Sequence, residues 1–195
     1  MKARDNPFAS HRIEALPFCF STGDSWEALL TRLAAQSWRG SIAGPHGTGK
    51  STVLDQLAPH LSARGFHPRL FRLSGEITAD GKRQLLEAAR SLRAPEFLLI
   101  DGAEQLTTRE WLGVHAAAAG GAGCVITLPR AARLPVILET APSPALLDAL
   151  AEQLSPGSLP TGTAGALFVR HRGNLRECLR ELYNREAGLS DRRRE

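Results

Sequence analysis

The run Gly44-Pro45-His46-Gly47-Thr48-Gly49-Lys50-Ser51 constrains this chain more than any other segment, because it fills every fixed position of G-x-x-x-x-G-K-[ST]. Glycines let successive backbone N–H groups turn inward as a nest for phosphate oxygens, and a helix opening at the lysine adds the positive end of its dipole. In such a cradle Lys50 reaches the β- and γ-phosphates and the Ser51 hydroxyl holds Mg²⁺, while Gly44 to Gly49 and Thr52 surround the bound group. The flanks suit the loop. Ser41-Ile42-Ala43 reads as a strand feeding it, and Leu54, Leu57 and Leu61 follow at helical spacing.

Composition narrows the class. The 195 residues are 43% hydrophobic and 23% charged, enough for a packed core in one domain of ordinary size. The longest clean apolar run is Phe97-Leu98-Leu99-Ile100, far short of a membrane span. Met1 to Ser10 has no apolar core of a secretory leader, so a cytoplasmic location is expected. Three scattered cysteines (19, 124 and 178) and six histidines form neither a CxxC nor an HExxH pattern, so no disulfide framework or zinc site is expected. The net charge is +4, and the segment from Arg170 onward carries eight arginines against five acids. Such a side can face nucleic acid or an acidic partner, or be a solvated helix face.

Helical and strand-like segments alternate, which predicts an α/β fold with a doubly wound, mainly parallel sheet. Helices are expected over Asp24 to Ser37, over Lys50 to Arg64 with a kink or break at Pro59, and from an Asp80 cap to Leu92. Further helices follow Thr107, whose Thr-x-x-Glu spacing to Glu110 is that of a capping box, and follow Ser143-Pro144 and Asn174. Arg69 to Leu73, Glu96 to Asp101, Cys124 to Leu128 and Val136 to Leu138 read as strands, and Leu73-Ser74-Gly75-Glu76 leads into a loop. The chain divides into residues 1–38 as a leading segment, 39–142 as the core, and 143–195 as C-terminal helices with a basic tail.

A phosphate loop of this kind works with a carboxylate for Mg²⁺ at the end of a buried strand, and Phe97-Leu98-Leu99-Ile100-Asp101 supplies Asp101. The loop and this strand together resemble the ASCE division of P-loop ATPases, and among them short bacterial AAA+ and STAND-like modules. That resemblance carries further expectations. The position directly after Asp101, where many AAA+ proteins have the glutamate that activates water, is Gly102. Glu104, in Asp101-Gly102-Ala103-Glu104, instead resembles the displaced acid of STAND ATPases and is expected to polarise the attacking water, the other reading being a solvated loop acid. Thr127, ending the next strand, matches a polar residue that senses the γ-phosphate, though a strand-ending threonine also occurs without a role. Arg176 in Gly173-Asn174-Leu175-Arg176 is similar to the lid arginine that meets the γ-phosphate, or is a surface arginine on an amphipathic helix. Arg130 or Arg133 could serve a neighbouring subunit as an arginine finger. The stretch from Asn6 to Phe20 is expected to cover the adenine.

The resemblance therefore implies an ATP-binding, Mg²⁺-dependent ATPase with slow basal hydrolysis, catalysis resting on Lys50, Glu104, Thr127 and Arg176. It implies a reduced helical lid, a protein partner and self-association, while the basic C-terminal side offers nucleic acid as a further partner and the short apolar runs point to no membrane. A small-molecule kinase using the same loop, and a nucleotide-gated interaction module without turnover, are the alternatives.

Overall fold

The computed structural model describes residues 5–20, 23–73 and 79–188. The loop reading at Ser74-Gly75-Glu76 and the basic tail from Asp191 lie outside them. In chain order the elements are α1 (Ser10–Glu14), α2 (Trp26–Ala35), β1 (Arg39–Ala43), α3 (Lys50–Ser62), β2 (His67–Arg72), α4 (Ala79–Ser91), β3 (Glu96–Asp101), α5 (Thr108–Ala117), β4 (Gly123–Leu128), β5 (Val136–Glu139), α6 (Pro144–Leu154), α7 (Thr163–Arg170) and α8 (Leu175–Glu186). The described residues fall into two compact units.

The first unit comprises Phe20–Gly44 and Gly49–Thr140 and holds the sheet. Its five strands run in the order β2-β3-β4-β1-β5, every pair parallel. A parallel sheet is covered on both faces, so its central strands carry nearly unbroken apolar runs. Phe97, Leu98, Leu99 and Ile100 of β3 are all fully buried, and β4 is buried along its whole length. Leu98, Ile100, Cys124 and Ile126 pack with Leu85, Ala89 and Leu92 of α4 and with Trp111 and Val114 of α5. Side chains alternate across a strand, so Phe97, Leu99 and Val125 face the opposite layer. There α3 meets β2, β3 and β4, Phe66 sets its ring edge-on to Phe97, and Trp26 of α2 stacks on His60 of α3. The sheet is doubly wound and wholly parallel.

Local signals set the helix ends. Ser25 caps α2 through the Ala28 N–H, and Ser143 caps α6 through the Leu146 N–H. Thr107 and Glu110 close the capping box reciprocally on α5, a device contributing about 1 kcal/mol. Two expectations need correction. Pro59 does not end α3, which continues to Ser62. The proline sits in the last turn, and the carbonyl it leaves unbonded belongs to the solvent-exposed Asp55. Asp80 is not the cap of α4 but lies in its first turn, paired with Arg83 at 3.0 Å.

The second unit comprises Met1–Cys19, Pro45–Thr48 and Ala141–Glu195. Its core gathers Phe8, Leu147, Ala151, Leu154, Leu167, Leu175, Cys178, Leu179 and Leu182. The stripe Leu175, Cys178, Leu179 and Leu182 is the apolar face of α8, and burying each leucine contributes roughly 1.5–3 kcal/mol. Asn6, 1% exposed, donates from Nδ2 to the Tyr183 carbonyl at 2.9 Å and accepts the Phe8 N–H at 2.9 Å. Asn6 and Phe8, expected over the adenine, are thus anchored within this helical unit. No helix among the described residues is long and apolar enough to cross a membrane.

Candidate functional site

Parallel strands send all their C-terminal ends to one edge, and β1 delivers the phosphate loop there. Three of its glycines have backbone angles that other residues rarely adopt: φ is +153° at Gly44, +76° at Gly47 and +88° at Gly49. At Gly44 there is also no room for a side chain, since a Cβ would run into Thr140. The Gly44 N–H donates to the Leu128 carbonyl at 3.1 Å, and the Thr140 N–H donates to Ala43 O at 2.8 Å, so the loop starts from a fixed point. The buried Thr48 donates its hydroxyl to Pro45 O at 2.9 Å, closing the tip. Gly49 is the N-cap of α3, with Lys50 and Ser51 opening the helix. The Lys50 ammonium donates to Gly44 O at 2.7 Å, reaching back to the first glycine of the run.

The register Ile100↔Ile126 between β3 and β4 sets Asp101 beside Thr127. The Thr127 hydroxyl donates to Asp101 Oδ1 at 2.7 Å and accepts the Gly102 N–H at 2.8 Å. Thr127 is 1% exposed and Asp101 9%. A hydroxyl has one proton, and here that proton is given to Asp101. The metal candidate and the sensor candidate therefore form one hydrogen-bonded pair next to Gly44. Among the described residues no cluster of three or more His, Cys, Asp or Glu side chains could hold a metal alone. A nucleotide-bound Mg²⁺ needs fewer protein ligands, because it keeps waters and phosphate oxygens, and the Ser51 hydroxyl and the Asp101 carboxylate are oxygen donors of the kind that could hold one.

After Asp101, Gly102 takes φ +83° and the chain makes a single 3₁₀ turn over Ala103–Gln105 that carries Glu104. Glu104 Oε2 is closed off from solvent and has no hydrogen-bond partner among the described residues. Buried polar atoms are ordinarily paired, so an orphaned carboxylate oxygen marks a place of interest. Arg133 is not free to serve a neighbouring subunit. Its guanidinium donates to Ala103 O at 2.6 Å and Leu106 O at 2.5 Å, and it lies 5.5 Å from the centre of the Trp111 ring. Arg130 is exposed.

Arg176 is exposed in the first turn of α8, behind the Asn174 cap that accepts the Glu177 N–H. It lies close to the loop tip within the helical unit. A Cβ on Gly47 would collide with Asn174 Oδ1 and come 3.4 Å from the Cβ of Arg176. Two contacts carry no signal in the sequence, that of Thr140 with Gly44 and the hold of Arg133 on the 103–106 turn. Neither lies in a recognisable pattern, and both act on residues distant in sequence. Burial pushes the Cys124 thiol up to about 12, which removes it as a nucleophile.

The fold is similar to that of AAA+ P-loop NTPases, as two solved structures show. A DNA replication initiation factor superposes with a TM-score of 0.60 at 13% identity, covering 91% of this chain and 65% of the other. The replication initiator DnaA, bound to AMPPCP and single-stranded DNA, gives a TM-score of 0.58 at 12% identity, covering 92% of this chain and 64% of the other. The chain thus spans less than two thirds of the length of either. No protein-family model and no curated protein matches the sequence.

Proposed function

We propose that this protein binds ATP with Mg²⁺ and hydrolyses it slowly, as a nucleotide-driven switch or assembly module. The observation that supports this best is the conjunction at one sheet edge of the glycine-shaped loop and the Asp101–Thr127 pair. In this reading the loop N–H groups and Lys50 hold the phosphates, with Lys50 exchanging Gly44 O for phosphate oxygens. Ser51 and Asp101 hold Mg²⁺, which when bound neutralises charge on the phosphates. Thr127 keeps Asp101 oriented and the Gly102 turn in place, and reaches the γ-phosphate only through that pair. Glu104 accepts a proton from the attacking water, and Arg176, beside the loop tip, meets the γ-phosphate.

AMPPCP, a non-hydrolysable triphosphate, in one structural neighbour fits an ATP ligand, and single-stranded DNA in the same neighbour adds weight to a nucleic-acid partner for the basic C-terminal side. A protein partner and self-association are the ways in which slow basal turnover would be used. The cysteines at 124 and 178 are buried and unpaired, in keeping with a reducing cytoplasm. Glu104→Gln separates this reading from binding without turnover. ATP should bind as before while phosphate release falls by about 10²-fold. Phosphate release at the parent rate would remove Glu104 from the chemistry.

A further inference from the structure

The turn that carries Glu104 is gripped from outside by one arginine. Ala103 O and Leu106 O bracket Glu104 and Gln105, and Arg133 donates one nitrogen to each, at 2.6 and 2.5 Å. Ala103 O already accepts the Leu106 N–H at 3.1 Å, so the guanidinium supplements the turn's own bond. The planar fork of an arginine suits two carbonyls at once, which a lysine ammonium does not. Trp111 backs the guanidinium at 5.5 Å, an arrangement with a cation–π component.

The backbone at Arg133 is itself constrained. Its φ is +69°, and the Leu134 N–H bonds back to Ala132 O at 2.8 Å across it, closing a three-residue turn. A turn of this kind with a positive central φ is rare and strained, and strain at a non-glycine residue persists only where the surroundings hold it. Burial pulls the guanidinium's pKa below its ordinary value, and the Glu104 carboxylate works against that pull. The guanidinium therefore senses the Glu104 charge, although Glu104 Oε2 takes no hydrogen bond from it or from any other described residue.

We propose that Arg133 is the positioning residue of Glu104, fixing the 102–106 turn so that the carboxylate stands at a set distance from the attacking water. This rests on the reading of Glu104 as the residue that polarises water. Arg133 acts here through Ala103 O and Leu106 O, the two carbonyls it binds. A misplacement of about 1 Å at a reacting group is enough to cost on the order of 10²-fold in rate.

The variant of choice is Arg133→Asn, because asparagine accepts a positive φ and lacks the fork. With the full chain, ATP affinity, KM and kcat for phosphate release are measured below the melting temperature of each variant. Arg133→Asn should lose at least about tenfold in kcat while ATP affinity stays within about threefold, and Arg133→Lys should not restore the rate. Added guanidinium chloride, against sodium chloride at equal ionic strength, should recover part of the Arg133→Asn rate and none of the Glu104→Gln rate. The double variant should be no slower than Glu104→Gln alone, since one residue acts through the other. Parent-like kcat in folded Arg133→Asn, losses that multiply in the double variant, or a lower melting temperature with unchanged kcat would each overturn the proposal. If Glu104→Gln itself hydrolyses ATP at the parent rate, the reading of Glu104 fails first, and Arg133 has nothing to position.

Discussion

Thr127→Val tests whether the Asp101 pair is as tightly held as its geometry implies. Valine keeps the shape of threonine but removes the hydroxyl. The change leaves Asp101 Oδ1 without the donor now at 2.7 Å, and the Gly102 N–H without the acceptor at 2.8 Å. Water cannot easily replace either, with Thr127 only 1% exposed. A hydrogen bond to a charged group contributes about 1.5–3 kcal/mol, and an orphaned buried N–H costs about 1–3 kcal/mol. The two overlap, because Asp101 and Gly102 can relax together, so a net loss of about 2–4 kcal/mol is expected. At a urea slope of about 2 kcal/mol/M, the unfolding midpoint should fall by about 1–2 M. Thr127→Ser keeps the hydroxyl and should lose only about 1 kcal/mol for the methyl group. A Thr127→Val midpoint within about 0.3 M of the parent would refute the argument.

Arg176→Ala should weaken ATP by about 1.5–3 kcal/mol and ADP much less, because only ATP has the γ-phosphate; equal losses for both, or none, would end that assignment. Glu181 yields a pH signature. Burial raises its carboxyl pKa, but hydrogen bonds from His171 and Arg185 and the charges of Arg185 and Arg170 outweigh burial and hold it below the ordinary 4.5. A carboxyl depressed in the folded state contributes stability that is complete above 4.5 and is lost as pH falls through the folded pKa. Glu181→Gln should therefore lower the urea midpoint near neutral pH and close most of that gap in strong acid; a gap independent of pH would contradict this.

The phosphate loop was legible because its chemistry dictates residue types at fixed spacing, and the glycines at 44, 47 and 49 do adopt left-handed angles. The strand Glu96–Asp101 and the capping box at Thr107 were legible for similar local reasons. What sequence could not reach depends on contacts between distant segments. Thr140 matters because β5 returns beside β1 and presses on Gly44, 96 residues earlier. Arg133 reads in the sequence, with Arg130, as a candidate arginine finger, and only the folded turn reveals that its guanidinium is committed to Ala103 and Leu106. Pro59 misled because its helix-breaking tendency weakens in a last turn whose freed carbonyl faces water. Thr127 does stand near the end of β4, but its hydroxyl is directed at Asp101, a pairing that the β3–β4 register decides.

The central claim is that the loop from Gly44 to Ser51 holds a nucleoside triphosphate, and calorimetric titration of ATP into the parent and Lys50→Ala proteins, with and without Mg²⁺, tests it most directly. Lys50 supplies the one side-chain cation of the loop, now satisfied at 2.7 Å by Gly44 O. The account predicts saturable binding by the parent, tighter with Mg²⁺ than without, and affinity reduced at least tenfold, about 1.4 kcal/mol or more, in Lys50→Ala. Equal ATP affinity in the two proteins would contradict it.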